Sequence, residues 1–134
     1  MFTLAQIHAA HSKVKSGADF PAYIQELKNL GVTAYEAFVR DGHIIYYGEH
    51  NEVLHSPAKY EAMNVSPETK QEQFKSDLLA HQQGNTDYPT FCKDCATSGI
   101  EKWEVNLGRL DCTYYGLDGD VVLVERIPEK LKTD

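Results

Sequence analysis

Residues 19–48 read DFPAYIQELKNLGVTAYEAFVRDGHIIYYG, and residues 87–116 read DYPTFCKDCATSGIEKWEVNLGRLDCTYYG. Set together at a constant offset of 68, they align without a gap. Asp19-Phe20-Pro21 falls on Asp87-Tyr88-Pro89, Tyr23 on Phe91, Gly31 on Gly99, Tyr35 on Trp103 and Glu36 on Glu104. Tyr46-Tyr47-Gly48 then lands on Tyr114-Tyr115-Gly116, and Val53 on Val121, giving 8 identities over the 36 positions from 19 to 54. Upstream, Ala10-His11 matches Ala80-His81 at an offset of 70. Self-similarity of this kind is the mark of a repeated supersecondary unit. The reading is a tandem duplication, with repeats over approximately 3–56 and 66–127 of one domain spanning 1–134.

Each copy predicts two helices and a three-stranded meander. Thr3 is placed to cap a helix whose Leu4, Ile7, His8, His11 and Val14 recur at helical spacing. Pro21 suits a first helical turn, Tyr23, Ile24, Leu27 and Leu30 make one apolar face, and Gly31 stops the helix in a left-handed cap. Asp19 and Asp87 precede these prolines and are expected to cap their helices. Strands are expected over 32–39, 44–47 and 53–55. In the second copy Ser66-Pro67 is read as opening a helix carrying Phe74, Leu78 and His81, and Pro89 as opening one that stops at Gly99. Strands follow over 100–107, 112–115 and 121–127, with Asp118-Gly119 as the hairpin turn. The segment SPAKYEAMNV, 56–65, links the copies, and the tail EKLKTD reads as frayed. A lone meander is marginal, so the two copies must share one sheet or appose two beneath a helical layer. The fold class expected is α+β, a two-layer sandwich with pseudo-two-fold symmetry.

Composition narrows the function. The chain has 134 residues, is 42% hydrophobic and carries a formal charge of −7 without a Lys/Arg cluster. Such a surface repels phosphate backbones, so neither nucleic acid nor an anionic membrane is an expected partner. No apolar run is long enough to span a bilayer, and the first residues lack a signal-peptide core. Three cysteines suit a reducing compartment, and the location expected is cytoplasmic.

The segments HSKVKSGADFPAYIQELKNLGV (11–32) and HQQGNTDYPTFCKDCATSGIEKWEVNL (81–107) resemble a family of small bacterial proteins of unknown function, often labelled "phage envelope protein" and in some cases carried by prophages. The resemblance implies a compact two-layer α+β domain and transfers no catalytic residues. It also implies a possible role as a phage-derived structural or accessory protein.

The chemical candidates are few. Cys92 and Cys95 form a CxxC whose counterparts are Ile24 and Leu27, and Cys112 stands opposite Ile44. All three therefore take core positions, where free cysteine behaves as a small hydrophobe. The alternatives are a redox pair or a metal set of Cys92, Cys95, Cys112 and His81, which lacks the paired spacing of a zinc ribbon. His8 and His11 are half of a metal site at best, while His43, His50 and His55 lie near strand ends. Asp118-Gly119-Asp120 reads as a turn. No cofactor is expected. Strand parity directs Glu36, Tyr47, Glu104 and Tyr115 to the face opposite the core, about the pseudo-axis. Two acids beside two aromatic rings suit a cationic or amphipathic ligand. The expected function is a binding or interaction domain using this open sheet face for a small ligand or a second copy of the chain as a homodimer. The alternative reading of these residues is ordinary cross-strand pairing on a solvated face. A thiol- or metal-dependent enzyme built on the CxxC is the remaining alternative.

Overall fold

Thr3 opens the first helix with a reciprocal cap: its Oγ1 accepts from the Gln6 amide at 3.2 Å, and Gln6 Oε1 accepts from the Thr3 amide at 2.9 Å. The computed structural model describes residues 2–14 and 19–127. The tail read as frayed, 129–134, lies outside the described residues. Helix α1 runs Leu4–His11 and α2 runs Phe20–Leu30, ended by Gly31 at φ 102°. Strands β1 (Val32–Phe38), β2 (Ile44–Gly48) and β3 (Val53–His55) complete the first half. Helices α3 (Gln71–Gln82) and α4 (Tyr88–Thr97) precede β4 (Ile100–Asn106), β5 (Asp111–Gly116) and β6 (Val121–Arg126). The order helix-helix-strand-strand-strand thus occurs twice, in an α+β fold.

The six strands form one antiparallel sheet, in the order β3-β2-β1-β4-β5-β6, rather than two apposed sheets. β1 and β4 meet at its centre, with Glu36 directly opposite Glu104. Across that seam positions 68 apart exchange places: Ala34 faces Asn106, and Lys102 faces Phe38. The hairpins match as well. Tyr35 pairs with Tyr46 as Trp103 does with Tyr114, and both first strands carry an irregularity one residue after their start.

The helices cover one sheet face, and strand parity selects what lies beneath them. Tyr35, Ala37 and Val39 of one half are buried there with Trp103, Val105 and Leu107 of the other. Burying such side chains contributes roughly 1.5–3 kcal/mol each, which makes this layer the main source of stability. In α1 the inward positions are Ile7 and Ala10, whereas His8 and His11, expected on the apolar stripe, are exposed.

Two local expectations are corrected. Asp87 caps α4, accepting from the Thr90 amide at 2.9 Å, but Asp19 makes no such bond to α2. Asp87 has the extended backbone that a capping residue needs, while Asp19 sits at φ −88°, ψ −8°, already helical. Helix α3 starts at Gln71, not at Ser66-Pro67. The intervening amides are engaged elsewhere: Ser66 donates to the Ala96 carbonyl and Lys70 to that of Ser98, each at 2.9 Å. Those bonds hold the stretch against the end of α4, with a bend at 67–68.

The connection between the halves is ordered by the turn between β1 and β2. Lys59 and Met63 donate backbone bonds to Asp41 and Arg40, and the Tyr60 hydroxyl donates to the Val39 carbonyl at 2.5 Å. This places Lys59 beside the helical layer. Among the described residues no helix is long and apolar enough to cross a membrane.

Candidate functional site

The sheet face opposite the helices gathers the four residues singled out by parity, and it also supplies their cation. Tyr47 donates to Glu36 Oε1 at 2.5 Å, and Lys102 Nζ donates to Glu36 Oε2 at 2.6 Å. The same ammonium lies 5.4 Å from the centre of the Tyr115 ring and 5.6 Å from that of Phe38. Lys102 therefore stands where a ligand cation was envisaged, between carboxylates and rings. Burial alone would raise the Glu36 carboxyl, but Lys102 and Tyr47 outweigh it and hold the pKa below its ordinary value. In turn the Glu36 carboxylate pushes the Tyr47 hydroxyl up to about 12 and raises the Lys102 ammonium. Glu104, facing Glu36 across the seam, adds to the field that Lys102 answers. The residues needed to recognise Lys102 as the occupant were two positions from Glu104 in sequence; the missing information was which strand lay beside it.

On the helical side a cavity of about 700 Å³ lies between helices and sheet, within the size range of ligand pockets. Its floor is drawn from matching positions of the two halves: Tyr35 and Trp103, Tyr46 and Tyr114, Ile44 and Cys112. Phe20 and Tyr88 form one pair of wall residues, Tyr23 and Phe91 another. At the rim stand His11 and His81, together with the exposed Lys59 and Arg126. Parity reading assigned these rings to core packing.

Few polar groups enter this aromatic space, and each has a definable state. Burial raises the pKa of both the Tyr23 and the Tyr46 hydroxyl. His11 meets the Tyr23 ring edge-on, centres 5.3 Å apart. Burial lowers the His11 pKa, and the positive neighbours Lys59 and His8 lower it further. His81 stacks on Phe91 at 4.4 Å, with Nδ1 3.1 Å from the Thr86 carbonyl. The Thr86 hydroxyl lies 3.2 Å from the same nitrogen. Burial raises the Glu125 carboxyl, which accepts from Gln82 at 3.0 Å.

The thiols are inward-facing. Cys92 and Cys95 are 1% and 0% exposed, on the buried side of α4, and Cys112 is 5% exposed at the cavity floor. All three are free. Burial raises each thiol, Cys112 to about 12, so the nucleophilic thiolate is scarce near neutrality. Among the described residues no three His, Cys, Asp or Glu side chains are grouped so as to hold a metal ion. The set Cys92, Cys95, Cys112 and His81 is thus not assembled as ligands.

A family model described as "Protein of unknown function (DUF1398)" matches residues 8–126. No curated protein matches the chain.

Proposed function

The chain belongs to the DUF1398 family, whose description assigns no activity, and we propose from the geometry that it is a non-enzymatic module that binds a small, largely apolar molecule between helices and sheet. The observation that carries this is the cavity of about 700 Å³ lined by aromatic rings from both halves. Rings on several sides offer stacking and edge contacts of about 0.5–1.5 kcal/mol each beyond the area they bury. The Tyr23, Tyr46 and His81 polar atoms orient a guest within such a lining. The matching seam and hairpin registers support reading the halves as tandem copies.

The test uses Trp103, the sole tryptophan and a floor residue. N-phenyl-1-naphthylamine, a neutral aromatic dye, should quench Trp103 and raise the melting temperature. Ala37 also lines the floor and is 2% exposed. Ala37→Phe, which projects a ring into the space, should abolish dye binding while the protein remains folded. Cys112→Met makes a smaller intrusion from the other half, in case the phenyl ring prevents folding. Dye binding that survives in a folded, filled variant would sink the pocket reading. The double variant Glu36→Ala/Glu104→Ala should bind dye normally; loss of binding there would return the ligand to the open sheet face.

A second reading concerns that open face. Val53, Val121 and Val124 project from it, each at least half exposed, which supports self-association through it. This is also the surface through which the phage accessory role implied by the resemblance would operate. A concentration-independent monomer in sedimentation would remove both.

A further inference from the structure

The cavity has a charged corner, and from it we infer that the ligand is an aromatic monoanion whose charge rests beside His8, His11 and Lys59. This deepens the binding reading above and rests on it.

The corner brings one ammonium and two imidazoles together. His8 and His11 lie three residues apart on α1, and both line the cavity. Lys59 arrives from the connection between β3 and α3 and places its ammonium 5.6 Å from the centre of the Tyr88 ring. Among the described residues none of the three forms an ion pair with a carboxylate. The acid that lines the cavity is Glu125, on the outer strand β6, already accepting from Gln82; Arg126 follows it and His81 faces from α3.

Lys59 is exposed at the cavity rim and has no carboxylate partner, so an anion placed beside it gains a charge-assisted contact without displacing one. Burial already lowers the Lys59 pKa, and Lys59 and His8 help to keep His11 neutral. An arriving anion reverses both tendencies and favours protonated His11. The guest that fits is therefore amphipathic: rings among Tyr23, Tyr35, Tyr88 and Trp103, and a carboxylate or sulfonate at the corner.

Two dyes separate charge from shape. 8-Anilino-1-naphthalenesulfonate carries an anion on the same ring system that N-phenyl-1-naphthylamine presents without charge. The anionic dye should bind roughly tenfold more tightly, the equivalent of one charge-assisted hydrogen bond. Lys59→Met should erase that preference and leave the neutral dye unaffected. His11→Gln should reduce it and flatten its increase between about pH 8 and pH 6, which serves if Lys59→Met does not fold. Equal affinities for the two dyes, or equal losses in Lys59→Met, would overturn the charge preference alone. Failure of both dyes to bind would overturn the pocket itself.

Discussion

Glu36 shows how much one side chain acquires from its neighbours. It faces Glu104, a like charge that is destabilising in direct opposition. Its depressed pKa means that Lys102 and Tyr47 more than offset both burial and that repulsion. The sign for stability follows. The unfolded chain protonates Glu36 near its ordinary 4.5, before the folded protein does, so the contribution is complete above that pH and is lost as pH falls through the depressed value. Glu36→Gln should therefore cost about 1 kcal/mol at neutral pH, and the deficit should vanish in acid. Chemical denaturation at about pH 7 and pH 3 measures this; an unchanged difference would exclude the linkage. Reading parity was enough to bring Glu36, Tyr47, Glu104 and Tyr115 to one face. It was not enough to identify Lys102 as their shared cation, because that contact crosses the β1–β4 seam over 66 residues of chain.

At the scale of elements, equivalent glycines meet different surroundings. Gly31 and Gly99 both end a helix with positive φ, 102° and 82°. A Cβ on Gly31 would meet nothing within 4 Å, whereas on Gly99 it would lie 2.5 Å from the Glu68 carbonyl oxygen. Gly31→Ala should cost about 1–2 kcal/mol of left-handed strain. Gly99→Ala adds a collision with the Glu68 and Thr69 backbone, and urea unfolding should show at least twice the loss. Equal losses would mean that this stretch yields freely. The same packing explains the misplaced start of α3. Ser66-Pro67 has the composition of a helix opening, but its neighbours' amides find partners at the end of α4. Propensity is local, and a nearby row of unsatisfied helix-end carbonyls overrides it.

Across the whole molecule, the β1–β4 seam joins two meanders that would each be marginal alone. It runs through the middle of the sheet, with β3 and β6 at the edges. Hydrogen exchange should therefore protect β1 and β4 amides most strongly, while those of the three-residue β3 open earlier. Exchange from β1 as fast as from β3 would show that the halves open independently. The order of elements, the turns and the inward parity of the strands follow from the sequence alone, because hydrophobic period, caps and positive-φ glycines act over a few residues. Whether the inward rings of Tyr35, Tyr46, Trp103 and Tyr114 pack shut or surround a cavity was decided only in three dimensions. That outcome depends on how far the helices stand from the sheet, a distance set by all the side chains between them at once. The approach of Lys59 to His11 was likewise a tertiary product, since it comes about only through the fold of the connecting segment.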